Sequence, residues 1–290
     1  MTARVSVPGS SANLGPGYDI LALALDLWLH VTVEVLGAGD STLAVEGEGA
    51  DRLRWDEFNR FRAGLRDGAA EAGVLELPPL RVEMRNEIPL ARGLGSSAAA
   101  TVAGLLAARE LFGAPASDDR LLELATAIEG HPENAAASLH AGFVVCVSGQ
   151  VIRFDAPPEL RAALFVPERE LATAEMRAVL PATVPHADAV HNAAAVAAIV
   201  NAFGTGELSL LGAMYEDRLH EPYRSAPYPE LPALVAAARE AGALGAALSG
   251  AGSSVIALCD EASAARIAAA FGAAAREAGL AGTAREVGLA

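Results

Sequence analysis

The chain is 290 residues long and 52% of them are hydrophobic, enough to bury one large core or two medium ones. Its 36 acidic residues outnumber 21 basic ones, for a formal net charge of -15, and no basic run occurs, which argues against nucleic acid or an anionic membrane as partner. Every basic residue is Arg and none is Lys, so no phosphate-binding or Schiff-base lysine exists.

The opening MTARVSVPGSS lacks the apolar core of a signal peptide, and no run approaches the roughly 18 apolar residues of a membrane span, so a cytoplasmic protein is expected. Residues 4–7 alternate as a short strand, and Pro8 to Gly17 read as a polar loop rich in glycine and proline. A second strand region, 20–35, is broken at Asp26 and ends at Gly37 and Gly39. From Asp56 to Gly73 the pattern is helical, with Phe58, Phe61, Leu65 and Ala69 on one face. Leu80 to Met84 reads as a strand, followed by the loop NEIPLARGLGSS and a small-residue helix from Ser96 to Phe112. Ser117 is the natural N-cap of a further helix running to about Glu129. The segments FVVCVSG and VIRFD form a hairpin, and a boundary near residue 150 separates a first unit, 1–150, from a second α+β unit, 151–290. The second unit predicts strands at Ala163–Val166, Ala246–Ser249 and Val255–Leu258. Its helices are predicted at 187–203, 208–219, 231–241 and 262–278. Cys146 and Cys259 sit far apart in apolar stretches without CxxC spacing and read as buried free thiols.

Three segments carry chemistry. In Pro89, Leu90, Ala91, Arg92, Gly93, Leu94, Gly95, Ser96, Ser97, Ala98 and Ala99, glycines lead into a helix. Backbone N–H groups freed by glycine, together with the positive end of that helix, make a cradle for phosphate. The two serines add hydroxyls, and Arg92 is a candidate for the cation that Lys supplies in a Walker loop. The same residues also suit a plain turn with a capped helix, and Gly93, Gly95 and Ala98 fit GxGxxA, although a proline-interrupted stretch separates them from the preceding strand. The other two segments are PGSSANLGPGYD, Pro8 to Asp19, and SGAGSS, Ser249 to Ser254.

With these blocks in this order the chain resembles the superfamily of galactokinase, homoserine kinase, mevalonate kinase and phosphomevalonate kinase, the GHMP kinases. The segment Glu129-Gly130-His131-Pro132-Glu133-Asn134 is similar to the EGHPDN of many homoserine kinases, with Glu133 in place of the usual Asp and Ser253 in place of the Pro of SGAGP. The resemblance implies a two-domain α+β fold, ribosomal S5 domain 2-like at the N-terminus and ferredoxin-like at the C-terminus, with the site in the cleft between. It implies ATP contacts from Pro89 through Ala99, and Mg²⁺ on Ser97 and Glu129, with Glu123 as the alternative acidic ligand. For L-homoserine it implies contacts from Asn13, Asp19, His131, Asn134, Thr173, Arg177 and Arg224, of which Asn134, His131 and Arg177 take catalytic roles.

An amino acid with a free hydroxyl asks for an anion to meet its ammonium and guanidinium groups to meet its carboxylate, and Asp19, Arg177 and Arg224 supply that set. Mevalonate and galactose have no ammonium group. Phosphoryl transfer through a loose transition state needs no strong base, and Asn134 can orient a hydroxyl without taking its proton, so a base-free or weakly assisted transfer is expected. The alternatives are a mevalonate-type kinase of the same superfamily and a non-catalytic metabolite sensor on the kinase fold. No nucleic-acid or membrane partner is expected, and a homodimer is compatible with the sequence.

Overall fold

The computed structural model describes residues 1–290. Strands β1 (Thr2–Ala12) and β2 (Leu21–Val35) pair antiparallel from Thr2 opposite Glu34 to Ala12 opposite Ala22, with a bulge where Pro8 faces Trp28 and Gly9 faces Leu25. Pro8 to Ala12 are therefore strand and not loop. Their Gly, Ser and Pro content favours turns, but burial and pairing with Leu23–Leu25 override that preference. The break expected at Asp26 is the bulge itself. Along β2, Leu21 to Leu25 are buried on both faces, whereas beyond Asp26 only alternate residues Leu27, Leu29, Val31 and Val33 are, so one face of that half is wet.

β3 (Thr42–Gly47), which the sequence did not announce, runs parallel to β4 (Leu80–Asn86). Between them lies α1 (Arg60–Glu71), capped by Asn59, and it starts after Phe58, which is exposed and not part of the apolar face. α2 (Ser96–Phe112) and α3 (Asp118–Glu129, capped by the Ser117 hydroxyl) fall where the sequence puts them. α4 (Glu133–His140) is additional and places Asn134 in its first turn. The hairpin β5 (Phe143–Val147) and β6 (Gln150–Phe154) completes the sheet in the order β3-β4-β2-β5-β6, with β1 on β2. β6 lies past residue 150, so the passage to the second sheet falls at 155–159. β5 takes Leu21–Leu23 of β2 and β4 takes Leu29–Val35. Gly288 and Ala290 fill the interval through bonds from Asp26 N–H to Gly288 O and from Ala290 N–H to Ala24 O.

The second sheet contains β7 (Leu160–Pro167), β8 (Gly245–Leu248), β9 (Val255–Asp260) and β10 (Gly282–Val287), antiparallel throughout in the order β10-β7-β9-β8, the strand order of a ferredoxin-like sheet. Between β7 and β8 come α5 (Thr173–Ala178), α6 (His186–Thr205), a 3-10 helix over Leu208–Glu216 where a helix over 208–219 is expected, α7 (Glu221–Arg224) and α8 (Leu231–Glu240). α9 (Glu261–Glu277) joins β9 to β10. Alternation along β7 feeds two cores. Leu160, Ala162 and Leu164 join the main core shared with the first sheet, while Ala163 and Phe165 pack with Leu234, Ile267 and Phe271 under α8 and α9. Phe203 of α6 stacks on Phe143 of β5 at 3.9 Å between ring centroids, so α6 belongs to the shared core as well. Both cysteines are free thiols, pushed up by burial to about 12 at Cys146 and about 11 at Cys259. No helix is long and apolar enough to cross a membrane.

Candidate active site

A cleft of about 220 Å³ opens between the two sheets, beneath the loop that joins β4 to α2. Gly93 and Gly95 hold φ of +73° and +71°. A Cβ on Gly93 would lie 2.1 Å from Ser249 O, and one on Gly95 would lie 2.3 Å from Ser10 Oγ, so the loop demands glycine twice over. The first intrahelical bond of α2 runs from Ala99 N–H to Gly95 O at 2.9 Å. The N–H groups of Ser96, Ser97 and Ala98 precede it and are unclaimed at the positive end of a 17-residue helix bordering the cleft. Arg92 also borders the cleft, but its guanidinium is committed. It donates to the carbonyls of Leu90, Pro167 and Glu168 and pairs with Glu170 at 2.9 Å, tying the loop to the end of β7. One of its five N–H groups is left over, where a Walker lysine offers a whole ammonium.

The three sequence blocks meet here. Ser10 N–H donates to Leu94 O, Ser254 N–H to Arg92 O, and Gly250 N–H to Ala12 O, at 3.0–3.1 Å. The Ser249 hydroxyl lies 2.7 Å from Gly93 O and 2.8 Å from Ser11 Oγ. Ser253 is buried, and its hydroxyl donates to Arg169 O, a bond that proline at this position would not make.

At the other end of the cleft Asp19 and Arg177 form a two-pronged ion pair at 2.7 and 2.9 Å. Asn13, itself at φ +71°, positions the partners: its Oδ1 accepts from Asp19 N–H at 3.1 Å and its Nδ2 donates to Gly250 O at 3.0 Å. Arg224 is 1% exposed. Its Nε donates to Met176 O, and its Nη1 to Gly250 O and His220 Nδ1, which leaves Nη2 free of protein partners. Burial lowers the Arg224 pKa without discharging it. Both guanidinium groups lie on the Tyr18 ring, 5.4 Å for Arg177 and 5.3 Å for Arg224, and Tyr18 Oη accepts from Arg177 at 2.7 Å. Burial raises the Tyr18 pKa, so the phenol stays neutral. Because Arg224 donates to His220 Nδ1, the fully buried imidazole is the neutral Nε2–H tautomer and donates to Gly15 O at 2.7 Å.

Asn134 and His131 share the carboxylate of Glu133. Asn134 Nδ2 donates to Glu133 Oε1 at 3.1 Å, and Asn134 Oδ1 accepts from Ser10 Oγ at 2.8 Å. His131 Nδ1 lies 3.0 Å from the same Oε1, and that carboxylate holds the imidazole above its ordinary pKa.

Glu129 ends α3 with its side chain 6% exposed. Its Oε1 accepts from the Thr101 hydroxyl at 2.6 Å and lies 3.8 Å from Arg60 Nε, while Oε2 takes no hydrogen bond from the protein. Glu129 borders the cleft with Ser97. Glu123 does not; it is 65% exposed and paired with Arg120. A hydroxyl and one carboxylate oxygen are a donor set suited to a hard divalent cation that keeps its remaining positions for phosphate and water.

The cleft therefore gathers Asn13, Asp19, Pro89, Ala91 to Ala98, Glu129, His131, Asn134, Thr173, Arg177 and Arg224 of the expected residues. Leu90 faces a neighbouring groove, and Ala99 is fully buried in the core. Sequence reasoning passed over Tyr18, Ser10 and His220. Ser10 and Tyr18 lie inside the Pro8 to Asp19 block and His220 one helical turn before Arg224, but the contacts that tie them to the site run between elements far apart in the chain.

Models of GHMP kinases match the chain twice, the N-terminal domain model over residues 59–142 and the C-terminal domain model over residues 195–277. A homoserine kinase of Moorella thermoacetica is 43% identical over 260 residues, covering 88% of this chain and 86% of that protein. The crystal structure of a homoserine kinase from Cytophaga hutchinsonii superposes with a TM-score of 0.87 at 28% identity, over 99% of this chain and 95% of that one. The L. major mevalonate kinase in complex with R-mevalonate superposes at 0.73 and 18% identity, over 100% and 96%, which shows a shared fold.

Proposed function

The chain belongs to the GHMP kinases and, within them, to the homoserine kinases, and on that premise we propose how its cleft transfers the γ-phosphoryl of ATP to the side-chain hydroxyl of L-homoserine. The observation that carries the reading is a carboxylate and two guanidinium groups gathered on one tyrosine, in the same cleft as an unclaimed helix N-terminus. Asp19 receives the ammonium. Arg177 and the free Nη2 of Arg224 receive the carboxylate, with Thr173 beside them. In the protein alone Asp19 and Arg177 neutralise each other, and a zwitterion slots its own opposed charges against theirs. An acceptor without an ammonium leaves Asp19 unmatched.

The amides of Ser96, Ser97 and Ala98, with Pro89 and Ala91 to Gly95 around them, receive the phosphates. Ser97 and Glu129 would hold Mg²⁺, which would supply neutralising positive charge beside the phosphates. Asn134, fixed by Ser10, and His131, fixed by Glu133, orient the hydroxyl. In a loose transition state its proton leaves late, so placement carries most of the rate.

A coupled ADP-release assay with MgATP and L-homoserine, mevalonate or no acceptor tests this. Homoserine alone is expected to stimulate release. Equal stimulation by mevalonate, or none by homoserine, overturns the reading.

A further inference from the structure

Four arginines line the cleft, and three of them meet a carboxylate: Arg60 at Glu129, Arg92 at Glu170 and Arg177 at Asp19. Arg224 pairs with none, and its one hydrogen bond to a side chain goes to His220, whose Nδ1 accepts from Nη1 at 3.0 Å. A guanidinium only donates, so that ring nitrogen carries no proton. The proton sits on Nε2, which donates to Gly15 O at 2.7 Å with Asp217 Oδ2 3.7 Å away. Burial keeps the imidazole neutral by depressing its pKa to about 4.

His220 is fully buried and absent from the lining of the cleft, so it touches no ligand there. It is held from two sides. Asp217 Oδ2 accepts the N–H of His220 at 3.0 Å and that of Glu221 at 2.7 Å, which fixes the start of α7. The imidazole packs on the Tyr18 ring with centroids 5.3 Å apart, so it touches both the turn that carries Tyr18 and Asp19 and the arginine on α7. A carboxylate in its place would turn the guanidinium as well, but would neutralise it. A neutral acceptor orients Arg224 and leaves its charge for a ligand. With Nε on Met176 O and Nη1 shared between Gly250 O and His220 Nδ1, the planar group has one setting, and Nη2 is the edge left for the cleft.

Resting on the homoserine kinase reading, we propose that His220 is a positioning residue for the acceptor's carboxylate: its Nδ1 holds Nη1 of Arg224, which turns Nη2 into the cleft with the charge of the guanidinium intact. Carboxylate recognition then depends on the acceptor nitrogen of His220, and not on its bulk or its bond to Gly15.

His220→Gln and His220→Asn separate the two bonds of the ring. A Gln amide reaches Gly15 O from the place of Nε2 but puts no acceptor at the place of Nδ1, whereas an Asn carbonyl takes the place of Nδ1 and stops short of Gly15. Wild type is assayed first, since a wild type inert to homoserine fails the underlying reading whatever His220 does. With wild type active, His220→Gln is expected to raise the homoserine KM about tenfold or more, with kcat within about threefold and the MgATP KM within about twofold of wild type. His220→Asn is expected to rescue the homoserine KM to within about threefold of wild type. The reverse ranking overturns the proposal, since it would make His220 a strut on Gly15. So do equal homoserine KM values for the two variants, and a MgATP KM raised as far as the homoserine KM. If neither variant gives a cooperative melt, nitrogen NMR of wild type labelled at histidine decides. An unprotonated His220 Nδ1 whose resonance moves as homoserine saturates the protein supports the role, and a protonated Nδ1, or one that homoserine leaves unmoved, overturns it.

Discussion

Tyr18 shows how one side chain can set the charge geometry of a site it does not itself charge. Its ring carries two guanidinium groups and its hydroxyl accepts from one of them. A cation over an aromatic face is worth about 0.5–2 kcal/mol depending on how dry it is. Tyr18→Phe keeps the ring and loses only the Arg177 bond, and Asp19 still grips that arginine at two points. Its homoserine KM is expected to rise about threefold to tenfold, as one charged hydrogen bond is lost and partly replaced. Tyr18→Leu loses both ring contacts, and a further rise of about 30-fold follows from roughly 2 kcal/mol. The KM for MgATP should hardly move in either variant. Steady-state kinetics check this, and equal KM values for the Phe and Leu variants would refute the role given to the ring. Asp19, Arg177 and Arg224 were legible from sequence because a zwitterionic substrate calls for those charges. The aromatic platform between them was not, because it depends on α5, α7 and the turn after β1 meeting in space.

The phosphate loop is placed by the packing of two helices. α1 and α2 approach backbone to backbone: a Cβ on Gly64 would lie 2.1 Å from Thr101 O, and one on Gly104 would lie 2.2 Å from Phe61 O and 2.6 Å from Leu65 N. Ala is the better helix former by about 1 kcal/mol, yet these contacts are with backbone, which cannot swing aside. Gly104→Ala is therefore expected to destabilise the protein by about 1–3 kcal/mol, as overpacking does, and to raise the MgATP KM by shifting the start of α2. Urea unfolding and KM measured together check it; a more stable variant with unchanged KM would show that the helices have room to part. α2 and α3 were readable in advance, because α2 is a long run of small apolar residues ended by Gly113 and α3 opens on the Ser117 cap. β3 exposes most of its residues, and β10 carries Arg285 and Glu286, so alternation is weak there and pairing with β4 and β7 defines them instead. α4 has eight residues and opens with Pro132 at its cap position, which reads as loop, although its first turn holds Glu133 and Asn134.

Across the whole molecule, the two sheets are clamped around the cleft by bonds from Asn13 to Gly250, from Arg92 to Pro167 and from His220 to Gly15. The last of these clamps sits on a buried pair of titrating groups with opposite consequences for stability. Burial depresses His220 from 6.5 to about 4, and burial, with Asp217 adding to it, raises Glu221 from 4.5 to about 8. Between about pH 4.5 and 6.5 the unfolded chain holds a proton on the histidine that the folded chain lacks, which makes stability rise with pH. Over the same interval the folded chain holds a proton on Glu221 that the unfolded chain lacks, which makes stability fall, and the two slopes cancel. Above the unfolded histidine value only the Glu221 slope remains. From about pH 6.5 to 8 the pair should cost the fold about 2 kcal/mol, one and a half pKa units at about 1.4 kcal/mol each. Glu221→Gln keeps an oxygen to accept the Leu248 N–H, bonded at 2.6 Å, and cannot ionise. The variant should gain on wild type by about 2 kcal/mol across that interval, and should itself gain stability between about pH 4.5 and 6.5, where the His220 slope is no longer opposed. Urea unfolding of both proteins at pH 5, 6.5 and 8 reads the difference directly. If the gap between them is the same at pH 6.5 and pH 8, Glu221 is already ionised in the fold, and Arg224 beside it has been holding that charge.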